Sequence, residues 1–453
     1  MAERVPGIIV RVVNDTGIVA PPLFQRYPIF IGCGDPYNLV QNAKMTRGLG
    51  STDLLPSVNT VHTIVSVGDL PGIAKYVDMV DYELVGGTNN ILWLGANKPV
   101  SGNQYYATYT ETRSPSAYQP ILYFDDNLVY TDHGGKLRID GSVNDVSYAA
   151  YLAFTNGSKG VMVLQLPEAA WADKYNPTVA ELETAFVNSV TLLETIMGYK
   201  LFLIGMSSGT LLTVPAGQIL FNHAVLASQP ENKQERTVIM PMPADTPYQD
   251  YAAEAQAFSN NRMVIPAIPS VEQLTGVTGN FDDRYYCAGL AGLLCSGAIG
   301  DTFHGEIVAG ITFNDNFRQA ELDYLVQNGV SPAQSQNGII RNVMALTTDV
   351  TNALTEDLGV QDISDYVKKY WREGLWNLYR NKPINSSLLA AISGSSITMM
   401  EYLVSTNVLS NFDPNIVVSQ DPVEPRKILV YGRVMPAFRT AWMDISFTFV
   451  LSL

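Results

Sequence analysis

Lys200-Leu201-Phe202-Leu203-Ile204-Gly205 decides the class of fold. A continuous apolar run closed by glycine has no polar face to turn toward water, so it predicts a strand covered on both sides. Gly160 to Leu166, Thr237 to Met240 and Arg262 to Ile265 have the same character. Between these runs the period becomes helical. Near 178–197, Leu182, Phe186, Val190, Leu193 and Ile196 share one side, and further helices are predicted near 216–228 and 248–259. Alternating buried strands and helices specify a mainly parallel sheet buried on both faces, over 113–335, with a helix near 284–297 packed on it.

Outward from this unit the pattern changes. Pro21-Pro22 marks a break, and Tyr27-Pro28-Ile29-Phe30-Ile31-Gly32 reads as a buried strand. Residues 58–112 predict a small β-rich unit, because Tyr82-Glu83-Leu84-Val85, Ile91-Leu92-Trp93-Leu94 and Tyr105 to Thr110 are short aromatic strands parted by Gly and Asn turns. In the last third, Asp362 is placed to cap a helix whose stripe is Ile363, Tyr366, Val367, Tyr370, Trp371, Leu375 and Leu378, stopped by Asn381-Lys382-Pro383. A second helix is predicted from Ser386 to Ser405, then strands at Ile416–Val418 and Lys427–Val434.

Both ends read as strands without a local partner. Val5-Pro6-Gly7-Ile8-Ile9-Val10-Arg11-Val12-Val13 is β-branched and closed by Asn14-Asp15-Thr16-Gly17. Near the other end, Ile445, Phe447, Phe449, Leu451 and Leu453 alternate with Asp444, Ser446, Thr448 and Ser452, so the chain is expected to end inside a strand. Unpaired strand edges aggregate unless completed, which predicts either a closed sheet or a polymer subunit.

The 453 residues allow two to four domains. A net charge of −15 argues against a nucleic-acid surface, which needs clustered Lys and Arg. Cys33, Cys287 and Cys295 are too few for a disulfide framework and point to synthesis in a reducing interior. No signal peptide is read at Met1-Ala2-Glu3-Arg4, and Ala288 to Ile299 is too short to span a bilayer, so a soluble chain is expected. With 47% hydrophobic and only 16% charged residues, part of its surface is expected to be covered in an assembly.

Gly205-Met206-Ser207-Ser208-Gly209 matches the G-x-S-x-G of a nucleophile elbow, with Ser207 as nucleophile, His223 or His304 as base and Asp245 or Asp250 as third member. A cytoplasmic α/β hydrolase is therefore the alternative reading. An elbow must turn straight into a helix, however, and Thr210 to Pro215 is β-branched and ends in proline, so a Gly/Ser loop is preferred and no catalytic residue is assigned. His304 with Asp301 or Glu306 falls short of the three or four ligands a metal needs; it is read as a loop histidine, with no metal and no cofactor. Gly289-Leu290-Ala291-Gly292 lacks G-K-[ST] and is read as a helix-packing stripe. Residues 363–382 carry Lys368, Lys369, Arg372, Arg380 and Lys382 against Asp365 and Glu373, which predicts an exposed basic edge beside aromatics.

Taken together, Val5-Pro6-Gly7-Ile8, the run Asp81 to Leu84 with Asn90 to Trp93 and Tyr105 to Tyr109, Gly338 to Asn342 with Thr347-Thr348 and Ile363 to Val367, and the closing Val430 to Val434, Pro436 and Ile445 to Thr448 resemble the tail sheath proteins of contractile phage tails and related injection machines. The resemblance implies an α+β multidomain chain: an arm at 1–20, a sheath core from 21–57 and 336–440, the small β domain at 58–112, an α/β domain of subtilisin-like topology at 113–335, and an arm strand at 441–453. It implies a non-enzymatic subunit that stacks as hexameric rings around a tail tube and contracts to drive the tube through a host envelope. Its partners would be further copies of itself, the tube, and baseplate and terminator proteins, without direct nucleic-acid contact or membrane insertion. Its place would be a virion tail, assembled in the host cytoplasm. On this resemblance Pro6, Gly7, Ile8, Val10, Val12, Ile445, Phe447, Phe449 and Leu451 are expected to exchange strands between subunits, flanking Lys427–Val434 of an acceptor. Lys368, Lys369, Arg372, Arg380 and Lys382 are expected to face the tube.

Overall fold

The computed structural model describes residues 25–438 apart from 114–117, 169–170, 207–212, 230–231, 233, 270–272, 275–276, 278–280 and 314. β1 (Arg26–Gly32) leads into a small β unit made of β2 (Tyr37–Thr46), β3 (Thr52–Leu54), β4 (Val61–Gly68), β5 (Tyr82–Leu84), β6 (Asn90–Trp93) and β7 (Gln104–Thr112). The α/β part follows: β8 (Ile121–Tyr123), α1 (Asp126–His133), α2 (Asp145–Thr155), β9 (Val161–Gln165), α3 (Val179–Leu193), β10 (Lys200–Met206), α4 (Thr213–Ala227), β11 (Arg236–Ile239), α5 (Tyr248–Phe258) and β12 (Met263–Ala267). The ribbon β13 (Gln273–Leu274) and β14 (Ile311–Thr312) brackets α6 (Arg284–Ser296), and α7 (Gln319–Gln327), β15 (Val330–Gln336) and β16 (Ile339–Asn342) come next. The chain continues through α8 (Ala353–Glu356), α9 (Leu358–Tyr379), α10 (Ser386–Ser405), β17 (Leu409–Phe412), β18 (Val417–Gln420), β19 (Ile428–Tyr431) and β20 (Val434–Pro436).

Eight strands form the principal sheet in the order β16-β15-β12-β11-β10-β1-β9-β8, with the six inner strands parallel and the edge strands β8 and β16 antiparallel to their neighbours. Alternation along each apolar run feeds two separate cores. Phe202, Ile204 and Met206 of β10 face α2 and α6, whereas Leu201 and Leu203 face α3, α4 and α5. Fully burying each such side chain contributes about 1.5–3 kcal/mol. The two cores hold the strands in register from both sides.

Three expectations about boundaries are corrected. The strand at 27–32, expected in the sheath core, lies in the middle of the sheet, in parallel register with β10 from Arg26↔Lys200 to Gly32↔Met206. All seven of its residues are buried, and only a central position offers cover on both faces. The small β unit begins at Tyr37 rather than 58, because β2 pairs with β7 from Tyr37↔Thr112 to Thr46↔Gln104. Its two three-stranded antiparallel sheets enclose Trp93, Tyr105 and Tyr109, and Asp53 accepts from Trp93 Nε1 at 2.8 Å and from Tyr105 Oη at 3.0 Å. Finally, β15 runs through residue 336 and pairs with β12, so the sheet extends past the expected end of the α/β domain.

The two chain crossings between the small unit and the sheet are pinned by a buried polar chain at the carboxyl end of β1 and β9. Tyr123 Oη meets His133 Nε2 at 2.9 Å, His133 Nδ1 meets Gln165 Oε1 at 2.8 Å, Gln165 Nε2 donates to Glu168 at 2.7 Å, and Gly34 N donates to the other Glu168 oxygen at 2.6 Å. Burial pushes the Glu168 carboxyl up to about 8 against the opposing charge of Arg138, and pushes His133 down to about 4. Arg113 Nη1 closes the junction from the β7 side on the Asp132 carbonyl at 2.6 Å.

The small-residue stripe behaves as expected of a packing surface: a side chain on Gly292 of α6 would stand 2.5 Å from the backbone of Ala153 in α2. In the last third α10 spans Ser386–Ser405 as predicted, while Asp357, not Asp362, caps α9 by accepting from Gly359 N at 2.7 Å. Asn381, at φ 62, follows the end of α9. The predicted stripe of α9 packs Tyr366 and Tyr370 on Met399, Met400 and Leu403 of α10, and the paired strands β17·β20 and β18·β19 complete this core. Among the described helices α10 alone is long and apolar enough to cross a membrane; here Met399, Met400 and Leu403 pack one side of it into this core.

Candidate functional site

Because α9 is amphipathic on more than one side, it presents three surfaces. Its apolar stripe meets α10. A second side carries Asp362 and Asp365, which dock on the amino end of the sheet, where β1 and β10 begin with Arg26 and Lys200 and Arg262 immediately precedes β12. Arg26 pairs with Asp362, and Lys200 Nζ stands 3.0 Å from both carboxylates without hydrogen-bond alignment. Arg262 holds Asp365 by two bonds, and Gln361 adds a third at 3.1 Å. Burial opposes ionisation of Asp365, but Arg262 and Lys200 outweigh it and hold the carboxyl well below the usual range.

The third side, with the residues just past the end of α9, holds the five cations expected to form one exposed basic edge, and the structure divides them. Lys369 is buried: its ammonium donates to the Gly198 carbonyl and lies 3.8 Å from Glu373, and burial pushes its pKa down. Arg372 is half-buried, with Nη2 3.0 Å from Glu235 Oε1. These two therefore serve the internal joint between α9 and the sheet, which corrects the expectation of a continuous exposed edge. Lys368, Arg380 and Lys382 remain exposed. They line a groove of about 890 Å³ between α9, the start of α10 and the β18–β19 hairpin, together with Arg426 and the apolar faces of Trp371 and Trp376. Trp376, 64% exposed, falls off the predicted α9 stripe, and a tryptophan off the stripe between Arg372 and Arg380 is the sequence signal for it.

The strand-exchange residues at 6–12 and 445–451, and Ser207, lie outside the described residues. α4 begins at Thr213, sooner after β10 than the sequence suggested, with Pro215 in its first turn, where proline is tolerated. The proposed bases do not assemble with their acids: His223 is buried on α4 beside Arg236, whereas the carboxylate beside His304 is Asp357, 3.8 Å away. Neither histidine bonds Asp245 or Asp250 among the described residues, and no cluster of three metal-ligating side chains occurs among them.

This architecture, a two-faced α/β sheet with a small β unit inserted after its central strand and a helix-hairpin unit clamped to its amino end, is the fold of contractile sheath proteins. The anti-feeding prophage helical sheath in its contracted state matches with a TM-score of 0.60 at 10% identity, over 95% of this chain and 94% of that one. The sheath complex of an extracellular contractile injection system, PVC, also contracted, matches at 0.54 and 9% identity over 74% and 87%. A sheath tail protein from Listeria innocua matches at 0.50 and 10% identity over 95% and 96%. No protein-family model and no curated protein matches the sequence.

Proposed function

We propose that this chain is the structural subunit of a contractile sheath. It polymerises as stacked hexameric rings around a coaxial tube, and contraction of the stack drives the tube through a host envelope. The observation that supports the reading is the likeness to a contracted helical sheath along 95% of the chain, covering all three parts of the fold and not the α/β sheet alone. In this reading the α/β part has subtilisin-like topology without a catalytic role, and the arms at 1–20 and 441–453 exchange strands with neighbouring copies. Baseplate and terminator proteins cap the stack, and the particle is a tail assembled in the host cytoplasm. The work of contraction is stored in the lattice, as a metastable extended state with less subunit contact than the contracted one.

Expression of the chain alone, followed by negative-stain electron microscopy, tests the proposal. Long hollow cylinders are expected, and a monodisperse small particle at high concentration contradicts it. In assembled tails, contraction triggered by heat or mild denaturant should need neither ATP nor divalent metal.

A further inference from the structure

Residues 124–140 present an acidic and apolar surface at the far edge of the sheet from the basic groove. Phe124 is 64% and Leu128 54% exposed, and Leu137 and Ile139 are also exposed. Among them stand Asp125, Asp126, Asp132 and Asp140, none in an ion pair among the described residues; of the two cations in the segment, Arg138 is buried and Lys136 sits over the Tyr151 ring, so the exposed balance is acidic. Leu128 and Asp132 are one turn apart on α1 and so share a face. Two hydrogen bonds fix the helical part of the segment: Asp125 caps α1 by accepting from Asn127 N at 2.8 Å, and Tyr123 Oη donates to Asp132 at 2.9 Å. Four exposed apolar side chains on one short acidic segment are unusual for a surface that meets only water.

The groove is its chemical complement. Lys368, Arg380, Lys382 and Arg426 make no ion pair among the described residues, and Trp376 offers an exposed apolar anchor between them. In a chain of net charge −15 such a concentration of unpaired cations is a local exception. The groove backs onto the start of β11 and β12, and α1 follows the edge strand β8, so four strand spacings from β11 and five from β12, about 20 Å or more, part the two surfaces within one chain. They cannot satisfy one another internally.

We propose that the groove receives the 124–140 segment of a second copy of this chain, with Phe124 and Leu128 against Trp376 and the aspartates against Lys368, Arg380, Lys382 and Arg426. A contact between two different surfaces propagates head to tail instead of closing as a two-fold dimer, which suits a stacked array. It is salt-sensitive, since its charges lie at the rim. The inference rests on the self-assembly reading and adds to it a particular pair of surfaces.

The test is polymerisation without any tube. One variant carries Asp126→Lys, Asp132→Lys and Asp140→Lys; a second carries Lys368→Glu, Arg380→Glu and Arg426→Glu. Each alone should need an at least about tenfold higher concentration to polymerise, because like charges now face each other. Mixed in equal amounts the two should co-polymerise, each supplying the surface the other lacks. In the unaltered chain a photoreactive benzoylphenylalanine in place of Phe124 should cross-link to 368–382 or 424–428 of another copy, a readout that does not depend on the charge variants folding. Cylinders from the wild type with normal polymerisation of both variants, or cross-links elsewhere, overturn the inference and leave the sheath reading standing. Loss confined to assembly on tubes overturns it in favour of a tube-facing groove. A wild type that never self-associates overturns both.

Discussion

Arg262 grips Asp365 through two parallel bonds, Nη1 to Oδ2 at 2.6 Å and Nη2 to Oδ1 at 2.7 Å, and so ties the start of β12 to the middle of α9. The pair is buried, with Lys200 on its other side. It is a buried polar tie between the helix-hairpin unit and the α/β sheet.

Asp365→Asn should lower unfolding stability by about 3–5 kcal/mol, since it strands the buried Arg262 without its carboxylate and leaves Lys200 with Asp362 alone. The pH dependence has a definite sign. A carboxyl held below its unfolded value contributes fully above about pH 3.9 and loses that contribution as pH falls toward its lowered folded value. Denaturant melts across the acid range should show a steeper loss in the wild type than in the variant.

Glu168 works in the opposite direction. Its folded value of about 8 lies above the ordinary 4.5, so the folded state keeps a proton that the unfolded chain gives up. Stability should fall by about 1.4 kcal/mol per pH unit from 4.5 toward 8, and Glu168→Gln should flatten that slope. Equal slopes in the two proteins would remove the buried carboxyl as its source.

Gly292→Ala should cost about 1–3 kcal/mol, because the added carbon meets the α2 backbone at 2.5 Å and backbone cannot step aside. Gly394→Ala in α10 meets nothing within 4 Å and should instead stabilise by about 1 kcal/mol. Thermal unfolding of the two variants should therefore shift in opposite directions.

Deletion of residues 1–17 should leave a folded monomer that makes no cylinders. Ser207→Ala should change neither assembly nor contraction. Both are scored by sedimentation and electron microscopy, and normal cylinders from the truncated chain would return those residues to an ordinary intrachain role.

Much of the architecture was legible because its residues leave little choice. The strands at 200–206 and 26–32 are apolar on both faces, and α10 has matching ends because Asn385 and the polar residues after Ser405 stop it on either side. The basic residues of α9 were legible as a cluster but not as a surface. Spacing on one helix cannot tell that Gly198 and Glu235 come close enough to engage Lys369 and Arg372.

By itself, then, the sequence determined the buried strands at 200–206 and 26–32, the long helices of the last third and that a large sheet is covered on both sides, since apolar period is a local property of the residues. Only the tertiary structure decided that β1 sits between β9 and β10, that Asp362 and Asp365 neutralise the basic edge of the sheet, and which cations of the α9 cluster are exposed. Each depends on contacts between residues far apart in the chain, as Arg26 and Asp362 are, and the choice among such pairings is made by the packing of the whole molecule.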